Sequence, residues 1–130
     1  MTLTGILVLY LVFRVKQVLC DFFLQTPWMA LEKGRPFGEG GAKPLFAHAA
    51  IHAVFTLFIV LVYAPQLWWL GPLDFVIHGI VDRMKVVVTK NRGWTYGHSA
   101  YWWAFGVDQE LHNLTHLFYI VMIVRHLLPA

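Results

Sequence analysis

The strongest constraint on this chain is a recurrence of length. Four apolar runs each reach about the twenty residues that a helix needs to cross a bilayer core. They extend from about Leu3 to Leu24, Pro44 to Tyr63, Leu67 to Val88 and Phe105 to Leu128. In hydrocarbon every backbone polar group needs a partner inside its own segment, and a helix supplies one. The runs therefore predict an all-α, polytopic integral membrane protein, a four-transmembrane-helix bundle forming a single membrane domain over residues 1–130. Only 13% of the residues are charged against 58% hydrophobic, about half the charged share of a soluble domain. Little chain is left over for a separate soluble unit.

The connections set the topology. Between the first two runs lies a loop from about Thr26 to Lys43, punctuated by Pro27, Pro36, Gly34, Gly38, Gly40 and Gly41, residues that break regular structure. Pro65-Gln66 leaves so short a turn that the second and third helices must form an antiparallel hairpin. Gly71-Pro72 marks a kink or the true start of the third helix. Residues 90–103 carry Trp94, Tyr96, Tyr101, Trp102 and Trp103 among bases, the side chains that favour the headgroup layer. This segment is expected to lie in the interface.

Bases orient the bundle. Lys33, Arg35 and Lys43 lie in the first loop, and Lys85, Lys90 and Arg92 at or after the end of the third helix; only Arg125 opposes the trend. The positive-inside rule then puts both longer loops in the cytoplasm and both termini outside, periplasmic for a bacterial inner membrane. The net charge of +3 reflects this topology and forms no nucleic-acid patch. Met1-Thr2-Leu3-Thr4 lacks the basic start of a signal peptide, so the first run is read as a retained membrane helix. Cys20 is the only cysteine and is expected to be a packed free thiol.

Ionisable residues inside a membrane are costly and mark function by default. Here they fall in stripes at helical spacing. The first helix carries Arg14, Gln17, Asp21 and Gln25, and the second His48 and His52. The third carries Asp74, His78, Asp82 and Lys85, and the fourth Asp108, His112 and His116, with Gln109 and Asn113 beside them. Counted from the cytoplasmic ends at about 1.5 Å per residue, Asp21, His48, Asp82 and Asp108 fall roughly 6 Å inside the boundary. Gln17, His52, His78 and His112 form a second layer roughly 6 Å deeper.

Imidazole nitrogen and carboxylate oxygen are the ligands of zinc and of non-haem iron or manganese. A bound divalent ion would also offset the cost of burying three aspartates together. His48, His52, His78, Asp82, Asp108 and His112 are the candidate metal ligands, and Asp21 and Asp82 the candidate catalytic carboxylates. His116 lies a turn deeper and reads as a structural hydrogen-bonder, His98 and His126 as interfacial. Arg14 and Asp74 are expected to form an ion pair.

The stretch Asp21-Phe22-Phe23-Leu24-Gln25-Thr26, followed by Trp28-Met29 and Lys33, resembles the opening signature of a family of small bacterial and phage integral membrane proteins known only as a domain of unknown function. The resemblance continues through the His48/His52 pair, through His78, Asp82 and Lys85, and through Asp108-Gln109 with His112. It implies the bundle and the residue set but no reaction. The chain departs from the pattern at Gln17, where the family carries a histidine, so the resemblance does not extend to a second ligand from the first helix.

Three functions follow as expectations. The first is a membrane-embedded metal-binding protein, a metal-dependent hydrolase acting on a lipid-linked or amphipathic substrate near the cytoplasmic face. The second is a structural or accessory subunit, a homo-oligomer or part of a larger membrane complex, whose polar residues hold helices together. The third is a haem-binding electron carrier on histidine ligands.

Overall fold

The computed structural model describes residues 1–128. Among these residues the chain is all-helical, with no strand. Helix α1 spans Leu3–Phe23, α-helical to Val18 and finishing as a π turn over Leu19–Phe23. There the Leu24 N–H donates to the Leu19 carbonyl at 2.8 Å, one residue further back than in an α-helix. Helix α2 is short, Pro27–Glu32, and is followed by a 3-10 turn at Phe37–Glu39. Helix α3 spans Ala42–Tyr63, α4 Leu70–Asn91 and α5 Ser99–Leu127.

Two of these bounds correct the sequence reading. The segment expected as a loop between Thr26 and Lys43 contains α2, because the Thr26 hydroxyl accepts the Met29 N–H at 3.3 Å and Pro27 occupies the first helical position. Such a cap and proline together start a helix. Likewise α5 begins at Ser99 rather than near Phe105. Tyr101, Trp102 and Trp103 are therefore on its first turns and not in an irregular interfacial segment.

The four long helices form a ring. α3 packs most extensively on α4, α4 on α5, and α1 against both α5 and α3; α2 lies against α3. The 3-10 turn at Pro65–Leu67 closes α3 and α4 into the expected hairpin. A Cβ at Gly71 would lie 2.7 Å from Leu57 Cβ, so glycine is what lets α4 approach α3 there.

The interior is divided along its length. At the end formed by the start of α1, the end of α3, the start of α4 and the end of α5, the core is apolar: Leu9, Phe13, Ile59, Val60, Leu70, Tyr119 and Ile123. At the other end most of the buried side chains are polar, among them Gln17, His48, His52, His78, Asp82, Asp108 and His112, with Cys20, Leu45 and Ala49 beside them. The outer faces are apolar instead, as in the exposed rows Val54, Phe58 and Val62 on α3 and Val76, Ile80 and Met84 on α4.

Two helices, Leu3–Phe23 and Ala42–Tyr63, are long and apolar enough to cross a membrane. α4 and α5 have the length, but their polar and charged residues keep them below that apolarity. By this measure the four spans expected from the apolar runs reduce to two.

Candidate metal centre

Four helices each bring one stripe to the same place. On α3, His48 and His52 stand one turn apart and are wholly buried; on α4, His78 and Asp82 do the same, and on α5, Asp108 and His112. From α1, Asp21 enters out of the π turn, with only 11% of its side chain exposed. Antiparallel packing is what makes these coincide. The end of α1 and of α4 lies beside the start of α3 and of α5.

Their reactive atoms face one another. Asp21 Oδ1 lies 2.9 Å from His52 Nε2 and 3.3 Å from His48 Nε2. His48 Nε2 is 3.2 Å from His78 Nε2 and 3.5 Å from Asp82 Oδ2. The imidazoles of His52 and His78 stack with centroids 3.5 Å apart, and those of His78 and His112 at 4.0 Å. Two donor sets result, Asp21–His48–His52–His78 and His78–Asp82–His112, and within each the donor atoms lie within 4.8 Å of one another. Tetrahedral ligands about 2.1 Å from an ion stand about 3.4 Å apart. The contacts of 2.9 to 3.3 Å within the first set are close to that spacing, so this group could hold a metal ion.

Neighbouring amides and ammoniums fix the carboxylates. Gln17 and Gln109 donate their side-chain amides to Asp21 Oδ2 at 2.6 and 3.0 Å. Lys33 Nζ donates to Asp82 Oδ2 at 2.5 Å and to Gln25 Oε1 at 2.7 Å. Lys85 Nζ stands 3.5 Å from Asp108 Oδ2, while Asp108 Oδ1 is buried without a hydrogen-bond partner among the described residues. The Nδ1 atoms of His48, His52 and His78 have no such partner either. Ligating imidazoles elsewhere commonly donate that second N–H to an acceptor. Here ring stacking and helix packing hold the rings instead.

Lys33 is the site residue that stripe analysis missed. It follows α2 in the connector, where a base reads as a topology signal, yet it is 4% exposed. Arg83 explains its placement: the guanidinium donates to the backbone carbonyls of Lys33 at 2.9 Å and Arg35 at 2.8 Å and lies over the Phe37 ring. The connector is thereby pinned across the mouth of the cluster. A cavity of about 80 Å³ opens there, lined by Asp21, Lys33, Asp82, Lys85, Asp108 and Gln109 with Phe22 and Phe105 at its sides. A roomier groove, about 360 Å³ between Phe37, Phe46, Phe75 and Met84, touches none of the candidate ligands.

A second polar network lies one helical turn deeper. Lys16 Nζ, 2% exposed, donates to Asp74 Oδ2 at 2.9 Å and contacts His116 Nε2 at 3.1 Å. Thr56 and Tyr119 donate their hydroxyls to Asp74 at 2.7 and 3.1 Å. The expected Arg14–Asp74 pair is thus replaced by Lys16–Asp74, and Arg14 donates to Asn113 Oδ1 at 2.8 Å. The physical reason is the helix phase. Phe13, Lys16, Gln17 and Cys20 share the buried face of α1, and Arg14 lies off it. His98 sits exposed against Thr95, His126 against Gln66, and Cys20 is a buried free thiol.

Residues 6–129 match the family described as "Protein of unknown function (DUF3307)". The chain belongs to this family. The match takes in every candidate ligand and every helix described above except the first three residues of α1, and the family's description assigns no activity. No curated protein and no solved structure matches the chain.

Proposed function

We propose that this chain is a membrane-embedded metal protein whose centre takes a divalent ion on His48, His52, His78 and Asp21, with Asp82 and His112 as the adjoining donors. The observation that carries the reading is the convergence from three helices of four donor groups, three buried histidines and the part-buried Asp21, with their donor atoms within 4.8 Å of one another. Zinc, or iron or manganese, suits a set of imidazoles and carboxylates. Haem does not suit it: a cavity of about 80 Å³ beside rings stacked at 3.5 Å has no room for a macrocycle.

In a bilayer the four long helices would all span. The exposed apolar rows on α3 and α4 would face lipid, since contiguous apolar surface marks contact with a membrane or a protein. Six ionisable residues of α4 and α5, Asp74, His78, Asp82, Asp108, His112 and His116, are buried inside the bundle, so these helices are less apolar in composition than in outer surface. The bases of the two long connections favour a bacterial inner membrane with both termini periplasmic and the cluster near the cytoplasmic face.

The chemistry we assign is hydrolysis. An ion at this place would supply Lewis acidity to a water. The chain's own contribution would be a carboxylate outside that first donor set, Asp82, that takes the water's proton as its oxygen adds to the substrate. The Lys33 ammonium holds Asp82 for that role, while the amides of Gln17 and Gln109 hold Asp21 as a ligand. Elemental analysis of the purified protein tests the centre: near-stoichiometric transition metal, lost in His48→Ala/His52→Ala, supports it. A folded wild type that takes up none sinks it.

One observation favours the alternative, an accessory subunit or homo-oligomer held together by polar residues. The Lys16–Asp74–Thr56–Tyr119 network ties four helices without any need of metal. On that reading Asp21→Asn and His52→Gln leave assembly and function unchanged, whereas the enzyme reading requires both to lose activity.

A further inference from the structure

Two grooves meet at Lys85 and Asp108. Both residues line the polar cavity at the mouth of the donor sets. Both also line a second cavity of about 180 Å³ on the outer side of α4 and α5, walled by Val81, Met84, Val88, Ala104, Val107 and Leu111. This groove runs from Val81 to Val88, about 10 Å along α4. Its walls are outward-facing: Met84, Val88, Val107 and Leu111 are all exposed. A charged cleft and an apolar channel open to the bundle's surroundings therefore share a wall at Lys85 and Asp108.

The charges say what the cleft prefers. Its walls carry three carboxylates, Asp21, Asp82 and Asp108, and two ammoniums, Lys33 and Lys85. The sum is one negative charge, and a divalent ion on the donor sets reverses it. Lys33 is committed to Asp82 and Gln25. Lys85 is only loosely engaged, 3.5 Å from Asp108 Oδ2 with 22% of its side chain exposed, and so keeps N–H donors for a ligand. Ammonium groups beside a metal are the usual company of a phosphate.

The geometry points to a lipid phosphate as the ligand of this site: its phosphate enters the cleft between Lys85 and the donor sets, and its acyl chain lies in the α4–α5 groove. The inference rests on the metal reading for the sign of the charge. It adds the substrate class, and it makes Lys85 the headgroup residue and Ala104 and Val107 the floor of the chain site.

Calorimetry on the full chain in neutral maltoside detergent, with zinc content measured on the same samples, tests it. The probes are dodecyl phosphate, inorganic phosphate and dodecyltrimethylammonium. Zinc-loaded protein is expected to bind dodecyl phosphate at least about tenfold more tightly than either of the others. Ala104→Trp fills the groove and is expected to remove the advantage of dodecyl over inorganic phosphate with zinc retained. Lys85→Ala is expected to weaken both phosphates.

Each other result overturns something specific. Equal binding of dodecyl phosphate and dodecyltrimethylammonium by zinc-loaded protein removes the headgroup assignment and leaves the metal centre standing. Inorganic phosphate binding as well as dodecyl phosphate, or indifference to Ala104→Trp, removes the groove. A folded chain that takes up no zinc sinks the metal reading. A preference for dodecyl phosphate persisting in that chain supports the lipid site on the lysines alone.

Discussion

His48 and His78, on neighbouring helices, bring their Nε2 atoms to within 3.2 Å of each other. As a hydrogen bond this requires one proton between two nitrogens, and the Asp21 and Asp82 carboxylates beside His48 compete for it. As ligands of one ion both nitrogens use lone pairs, and the conflict disappears.

His78 is the residue common to both donor sets. His78→Ala is therefore expected to weaken metal binding by more than about tenfold and so lower the metal retained on purification, since even an outer-shell partner is worth about 10–100-fold in affinity. His116→Ala, outside both sets, is expected to keep its metal. Elemental analysis of the two variants side by side makes the comparison, and equal metal in both would remove His78 from the centre.

Gln17 and Gln109 hold Asp21 Oδ2 from two different helices. Gln17→Ala and Gln109→Ala are each expected to weaken metal binding by about 10–100-fold with the fold intact. Competition against a chelator of known strength reads the affinity directly. An unchanged value would mean that Asp21 needs no orientation.

Lys16 and Asp74 pair at 2.9 Å with only 2% of either side chain exposed. Lys16→Met leaves that carboxylate unpaired and is expected to cost about 3–5 kcal/mol. Lys16→Met/Asp74→Leu removes both charges and is expected to recover most of the loss. Thermal unfolding in detergent measures all three proteins, and a single variant as stable as wild type would show that the pair is not holding the bundle.

The close approach of α3 and α4 at Gly71 predicts a size limit. Gly71→Ala pushes its Cβ onto Leu57 and is expected to cost about 1–3 kcal/mol, as overpacking does. Leu57→Ala in the same chain is expected to relieve part of it. Should the two substitutions simply add, the helices are not in contact there.

Much of the site was legible because antiparallel helices translate spacing into proximity. Stripes with four-residue steps face one direction, and a short turn at Pro65 fixes which ends meet, so Asp21, His48, His52, His78, Asp82, Asp108 and His112 follow from counting. Two things did not follow. Lys33 lies in a connector, and its burial depends on Arg83 capturing the carbonyls of Lys33 and Arg35, a contact between residues far apart in sequence. The partner of Asp74 depends on which side of α1 faces inward, and Arg14 and Lys16 differ by about 200° around a helix of 3.6 residues per turn. The stripe through Arg14, Gln17, Asp21 and Gln25 suggested one face. The buried face runs instead through Phe13, Lys16, Gln17 and Cys20.

The π turn at Leu19–Phe23 reconciles those two lines. A π turn holds one more residue than the α turn it replaces, so it offsets the phase of everything on one side against everything on the other. Upstream, Lys16 is aimed at the inner network; downstream, Asp21 is aimed at the donor cluster. The turn thus works as a vernier between two layers that a uniform helix would rotate past each other. Loss of a single residue from Leu19–Phe23 would restore the uniform helix and unseat one layer whichever the other kept, so this short segment should tolerate replacement far better than deletion.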